Sequence, residues 1–400
     1  MNKLIFTSHN ECIFSYFFEN DVLYSVNLYE KKTSILNNIY VGRVVNIVKN
    51  IDAAFVEISD GIICYLSLLE NKNPFFLNNK NTEKICVNDL ILVQVKREAI
   101  KSKRPMASCN IEIAGEYCVV IYGKTGLNIS TKINNTQKKK HLKELLKNYS
   151  TDEYGFIIRT NAQNASDEII LEDVKKSIRR IKEVIDKAQF STHKTCIYLA
   201  PHDYLCDLKN LNCEQLEQII VDDKDIYNEI CDYIAEEIPT LSEKIRFYED
   251  EYKLENLYNL KNLLSKLLKK NVWLKSGGSI VIEPTETLTA IDVNTGKAIF
   301  GKKNSQDTFY KINIEAATEI ARQIRLRNIS GIIIVDFIDM ERSDYREELI
   351  KRFRELLEKD PVKTVLVDMT QLNLIEVTRK KIKQPLHEKI KNIKMLDEFM

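Results

Sequence analysis

Residues 332–335 are Ile-Ile-Ile-Val, an uninterrupted apolar run that ends in Asp336-Phe337-Ile338-Asp339 and lies between two stretches of helical spacing. A run without polar alternation has the composition of a strand buried on both faces, the kind found in parallel sheets covered by helices. Upstream, 277–284 (GGSIVIEP) and 287–294 (TLTAIDVN) read as a strand pair, and period-2 alternation puts Leu288, Ala290, Asp292 and Asn294 on one face. The segment 308–327 carries helix-spaced Phe309, Ile312, Ala316, Ile320 and Ile324 with a basic last turn, and Ser330-Gly331 stops it. A second helical pattern covers 342–359, and 364–367 reads as a third strand.

Strand, helix, strand, helix, strand is the grammar of a parallel sheet, whose right-handed crossovers bring consecutive strand ends to one edge. Ligands bind at such carboxyl edges. Asp292 and Asp336 both fall there, one crossover apart, so they should repel each other unless a cation lies between. A hard, oxygen-seeking ion such as Mg²⁺ answers that arrangement and is the usual partner of phosphate chemistry. Asn294, two residues on and on the same face, could orient a phosphate oxygen or a water on the ion. Either Asp alone could equally cap the helix that follows.

A second pattern lies at 39–97, which reads as short strands: IYVGRVVNIV, DAAFVEIS, IICYLSLL after the turn Ser59-Asp60-Gly61, and LILVQVKRE. Alternation puts Phe55 with Glu57 and Ser59 on the polar face, and Tyr65 with Ile63 and Ser67. Two large aromatics beside a basic strand end are what an OB-type barrel uses to stack unpaired bases, with Lys96, Arg97, Lys101, Lys103 and Arg104 meeting phosphates. Packing of both rings under a loop is the competing explanation. Further on, 154–160 (YGFIIRT) reads as a strand ending in Arg159-Thr160, and an Arg fork beside a hydroxyl can hold a terminal phosphate.

Charge tests these assignments. Lys and Arg number 59 against 58 Asp and Glu, a net of +1, which taken whole argues against a partner made of phosphates. Residues 203–255, however, hold 16 acidic and 5 basic side chains, a local −11 that leaves +12 elsewhere. The basic excess gathers at 96–104, 138–147 and 379–394. Neutrality therefore hides segregation. Nine cysteines without a CxxC pair suit a reducing compartment, so a cytoplasmic address is expected. The start, MNKLIFTSHNECIFSYFF, fits neither a secretory signal nor a membrane span and reads as strand, turn, strand, and no membrane association is expected. Two phosphate-loop lookalikes are dismissed: 296–303 has Lys where Ser or Thr is needed, and 123–125 lacks its first Gly at Cys118.

The segments SGGSIVIEPTETLTAIDVNTGKA, NIEAATEIARQIRLRNISGIIIVDFIDM and LIEVTRKK together resemble the ribonuclease E/G family, in order. IYVGRVVNIVKNIDAAFVEISDGIICYL is similar to an S1-type RNA-binding domain, with Gly42 and the aromatic Tyr65 in place and Cys64 where many relatives have Gly. The resemblance implies that Asp292 and Asp336 bind a catalytic Mg²⁺, with Mn²⁺ as the substitute ion, and that Asn294 helps place the scissile phosphate. It implies that Phe55, Tyr65 and Lys103 contact single-stranded RNA and that Arg159 and Thr160 form a pocket for a 5′-monophosphate, although Asn161-Ala162 departs from the usual Ala-Gly. Asp339 is expected to be a structural support, and Arg327, Arg379 and Lys380 backbone-phosphate contacts.

The expected fold class is α/β and multidomain. An S1-type OB-fold barrel would occupy 38–110, a small α/β 5′-sensor domain 111–203, a discontinuous ribonuclease-H-like domain 1–37 with 204–270, and a deoxyribonuclease-I-like βαβ catalytic domain 271–400. The expected activity is Mg²⁺-dependent endonucleolytic cleavage of single-stranded RNA, favouring 5′-monophosphate ends and leaving 3′-hydroxyl and 5′-phosphate products. Relatives carry a CPxCxG zinc link after the catalytic domain, whereas no cysteine here lies beyond Cys231, so no structural zinc is expected and any homodimer would not be mediated by zinc. The alternatives are a non-catalytic RNA- or ribosome-binding relative and, less favoured because of the S1-type segment, a nuclease acting on DNA.

Overall fold

The computed structural model describes residues 1–31, 34–78, 84–99, 103–133, 135–149, 151, 153–209, 216–296 and 305–393. Lys101 and residues 297–303 of the rejected phosphate loop lie outside the described residues. The chain divides into two compact units, Met1–Lys31 with Gln215–Asn228 and Lys244–Met400, and Lys32–Glu214 with Glu229–Glu243. Among the described residues no helix is long and apolar enough to cross a membrane.

The first unit contains two sheets. One has five strands in the spatial order Ile245–Phe247, Gln218–Val221, Lys3–His9, Cys12–Glu19, Val22–Glu30. Its first hairpin turns at Asn10-Glu11, where Asn10 takes a left-handed φ of 51° that asparagine tolerates. The other sheet has six strands in the order Asn271–Trp273, Ser279–Pro284, Leu288–Asn294, Gly331–Asp336, Ile375–Arg379, Thr364–Met369. Only Leu288–Asn294 and Gly331–Asp336 run parallel, joined by the helix Ser305–Leu326. The helix Ser343–Glu358 follows, and Ile320, Ile324, Phe353 and Leu357 join Ile291, Ile333 and Val335 in one core. Each such fully buried side chain contributes about 1.5–3 kcal/mol relative to exposure.

The third strand, Thr364–Met369, is not the parallel neighbour of Gly331–Asp336 but an edge strand. The chain reverses after it at Asn373 (φ 62°), and Ile375–Arg379 returns antiparallel into the slot beside Gly331–Asp336. Nor is the apolar run buried on both faces: Ile333 and Val335 are in the core, while Ile332 is 51% exposed and Asp336 is exposed. The helices cover one face only, and the even-numbered residues of both parallel strands stand on the other.

In the second unit, Ile39–Val48, Ala53–Ser59, Ile62–Ser67, Met106–Ser108 and Leu90–Arg97 close into an OB-like barrel, sealed by pairing of the first with the last. Met106–Ser108 is a fifth strand beyond the four read from sequence. Gly42 is required where strands cross closely, because a Cβ there would meet Val56 Cγ1 at 2.4 Å. A four-stranded sheet follows, Gly126–Ile129, Tyr154–Ile158, Cys118–Tyr122, Ile111–Ala114, with the helices Thr136–Lys147 and Asp167–Gln189. Residues 204–209 and 229–243 group with this unit rather than with the five-stranded sheet. The cause is visible in the buried Lys209–Glu237 pair at 2.6 Å and in the contact of Glu237 with Arg180.

Candidate functional site

In the first unit, Asp292 and Asp336 are register partners on adjacent parallel strands, each the last or near-last residue of its strand. Neighbouring strands lie about 4.8 Å apart, which brings two exposed carboxylates into one another's field. The Asp336 carboxyl is accordingly pushed above its ordinary value, by partial burial first and then by the charges of Asp292 and Asp339. Asn294, next but one along the strand, donates from Nδ2 to Asp292 Oδ2 at 2.6 Å and fixes that carboxylate's orientation. The amide carries a second hydrogen that this bond does not use. Among the described residues no group of three or more His, Cys, Asp or Glu converges as a metal-binding cluster. Two carboxylates with the remaining positions open to water nonetheless match the way Mg²⁺ is bound, and the uncompensated repulsion at Asp336 is what a divalent ion would relieve.

Asp339 stands three residues beyond Asp336 and accepts from Asn373 Nδ2 at 3.2 Å, tying the strand end to the hairpin turn. Sequence reasoning had no signal for Asn373, which lies 34 residues away on a turn.

Arg379 and Arg327 do not meet the expectation of backbone-phosphate contacts. Arg379 is the last residue of an inner strand, its side chain 3% exposed, paired with Asp360 at 2.9 Å and bonded to Asn328 Oδ1 and the Ile329 carbonyl. Arg327 is 8% exposed, with Nε donating to Gln323 Oε1 at 2.7 Å. Neither guanidinium is at a surface that a polymer backbone reaches. Lys380 is exposed.

In the second unit, Phe55 and Tyr65 are register partners across adjacent strands, with ring centroids 6.3 Å apart in an edge-on arrangement. Both are half-buried while Val56, Cys64 and Leu66 between and beside them are fully buried, so the alternation read from sequence holds. The Arg104 guanidinium lies 5.3 Å from the Phe55 ring centroid, a cation–π contact that keeps positive charge over the platform. Lys103 is exposed. Lys96, expected to meet phosphate, points elsewhere: it is paired with Glu112 at 2.8 Å and bonded to Gln94, and burial lowers its pKa.

Arg159 follows the strand Tyr154–Ile158, and Thr160 opens a short 3₁₀ turn. Arg159 is half-buried and donates to the Gly115 carbonyl at 2.6 Å and the Lys209 carbonyl at 3.4 Å. Thr160 is exposed and its hydroxyl is 2.9 Å from that of Ser130. Asn161, the departure from the resemblance, donates to the same Lys209 carbonyl at 3.2 Å. The two residues are thus side by side, the Arg braced by backbone and the hydroxyl at the surface.

Comparison with known proteins gives a consistent result. The sequence model of the Ribonuclease E/G family matches residues 112–382. Ribonuclease G of Haemophilus influenzae is 32% identical over 367 residues, covering 89% of this chain and 74% of that protein. Ribonuclease G of Escherichia coli K12 is 30% identical over 375 residues, 91% of this chain and 76% of the relative. Ribonuclease E of Synechocystis is 32% identical over 362 residues, 88% of this chain and 53% of the longer relative.

Proposed function

Because the chain belongs to the ribonuclease E/G family and is an endoribonuclease of that type, we propose that Asp292 and Asp336 hold the Mg²⁺ that single-stranded RNA cleavage requires. The observation that carries this is their register pairing, with the Asp336 carboxyl raised by its neighbours. Bound there, Mg²⁺ would offset negative charge on the scissile phosphate and acidify water. Asn294 keeps the Asp292 carboxylate in place and has one amide hydrogen left for a phosphate oxygen. In-line attack on the phosphorus would leave 3′-hydroxyl and 5′-phosphate products.

Phe55 and Tyr65 would hold the strand by stacking on bases, with Lys103 and Arg104 on its phosphates. Arg159 and Thr160 would take a 5′-monophosphate, the braced guanidinium supplying charge and the hydroxyl one hydrogen bond, so that such ends are cut preferentially. A cytoplasmic setting suits this substrate. The alternative, an RNA- or ribosome-binding relative without cleavage, lacks a reason for the exposed Asp292, Asn294 and Asp336 to gather at the ends of two adjacent strands. The test is cleavage of a 5′-monophosphorylated single-stranded oligoribonucleotide after chelation and after Mg²⁺ is restored. Restored cutting with 5′-phosphate products supports the proposal, and binding without cutting supports the alternative.

A further inference from the structure

The open face of the six-stranded sheet carries more than the two aspartates. Trp273, the only tryptophan in the chain, is 73% exposed at the end of the edge strand Asn271–Trp273. Val272 beside it packs against the core, so alternation turns the indole to the face that the helices leave open. Trp273 is paired in register with Ser279, and Ser279 with Asn294. The adjoining row runs Asn271, Val281, Asp292, Asp336. Cross-strand partners share a face, so Trp273 and Asn294 stand on one surface two strand spacings apart, about 10 Å. Only the small side chain of Ser279 lies between them in that row.

The backbone around Trp273 is held from behind. Leu274 is buried and its N–H donates to the Gly278 carbonyl at 2.9 Å. Glu315, on the helix Ser305–Leu326, accepts from the backbone N–H groups of Lys275 and Ser276 at 2.7 and 3.1 Å. The same hairpin runs against the carbonyl of Asn294, which a Cβ at Gly278 would meet at 3.0 Å. The turn after Trp273 is thereby fixed to the strand that carries Asn294. Among the described residues no hydrogen bond or ring contact engages the indole itself. An indole is a large, rigid apolar plane, and most tryptophans are far more buried than this one. An apolar protein partner covering Trp273 would also have to take water from the neighbouring Asp292 and Asp336 carboxylates, which is costly. An RNA strand drawn there by its phosphate brings a flat, uncharged base within reach and leaves the face wet.

We infer that Trp273 stacks on a base beside the scissile phosphate, a substrate-binding residue on the cleavage face in addition to the two rings of the barrel. The inference rests on the reading of Asp292 and Asp336 as the cleavage site. With the phosphate at Asn294, the distance to Trp273 is one that a ribose and its base span, so the stacked base belongs to a nucleotide flanking the cut. Every base offers a π-face, so the contact adds affinity and orientation at the cut and imposes no strict sequence.

Because Trp273 is the sole tryptophan, its emission reports on one position. The full chain in chelator would be titrated with a single-stranded oligoribonucleotide. Cleavage in Mg²⁺ would then be timed on a set of oligoribonucleotides that each carry one abasic nucleotide near the cut. The expected result is quenching that saturates together with anisotropy, and roughly tenfold slower subsaturating cleavage for one abasic position adjoining the cut. Trp273→Ala should slow the unmodified substrate by a similar factor and show no further loss at that abasic position, while Trp273→Phe keeps most of the parental rate. The Mg²⁺ concentration for half-maximal rate should be the same in all three proteins. Emission unchanged by bound RNA, or an abasic penalty in Trp273→Ala equal to the parent's, would overturn the assignment. Emission that changes with protein concentration and not with RNA would also overturn it, and assign the face to a second copy of the chain. Quenching by RNA alongside undiminished cutting by Asp292→Asn and Asp336→Asn would keep the stacking contact and remove the cleavage-site reading. Metal-dependent cutting without quenching would do the reverse.

Discussion

Asp336 faces Asp292 in register across two parallel strands, and the amide of Asn294 clamps only the second of them, at 2.6 Å. The pair is therefore asymmetric: one carboxylate is oriented by a neighbour, and the other carries the repulsion.

Asp336 has a folded-state pKa above its unfolded one, so its contribution to stability is present at low pH and lost as pH rises through the raised folded value. At neutral pH its charge should destabilise the metal-free protein. Asp336→Asn is expected to raise the melting temperature in chelator by an amount equivalent to about 0.5 kcal/mol, kept small by solvent screening. It should also remove the added stabilisation that Mg²⁺ gives the parent. A lower melting temperature in chelator would show that the carboxylates do not repel.

The barrel platform predicts two separable losses. Phe55→Ala and Tyr65→Ala should each weaken binding of single-stranded RNA by about 1–3 kcal/mol, because each removes one base-stacking surface. Lys103→Ala should instead reduce the slope of log affinity against log salt by roughly one, with a smaller loss at any fixed salt. Fluorescence anisotropy across a salt series distinguishes them. An aromatic substitution that only changed the salt slope would contradict the stacking role.

Arg159 and Thr160 should differ on substitution although they are adjacent. Thr160 is exposed, so Thr160→Val should lower the preference for 5′-monophosphate over 5′-hydroxyl ends with little effect on stability. Arg159→Ala should lower the preference and also destabilise by about 1–3 kcal/mol, because the carbonyls of Gly115 and Lys209 lose their donor. Equal slowing on both kinds of end would contradict a role in reading the end.

Arg379→Ala should cost about 3–5 kcal/mol of stability, since it leaves Asp360 buried and charged without its partner. Lys380→Ala, one residue on and exposed, should leave the melting temperature within about 0.5 kcal/mol of the parent. Urea unfolding of both variants checks the contrast.

What could be read from sequence follows from how local its signals are. The strand ends at Asp292 and Asp336, the helix between them and the half-exposed ring pair Phe55 and Tyr65 all follow from spacing within one or two elements. The slot beside Gly331–Asp336 could not be assigned that way, because a short returning strand such as IEVTR carries no mark of which neighbour it joins. Arg379 and Lys96 were misread for a related reason. Each sits in a basic run, yet the partner that buries it, Asp360 or Glu112, lies more than a dozen residues away and becomes its neighbour only when the sheet or barrel closes. The burial of Arg327 against Gln323 had no sequence signal at all.

The central claim is that Asp292 and Asp336 together support metal-dependent cleavage, and single-turnover cutting of a 5′-monophosphorylated single-stranded RNA in saturating Mg²⁺ measures it most directly. Asp292→Asn and Asp336→Asn are each expected to slow cleavage by about a hundredfold or more while RNA binding, read by anisotropy, stays within a few-fold of the parent. Cleavage at near-parental rates in both folded variants would contradict the account.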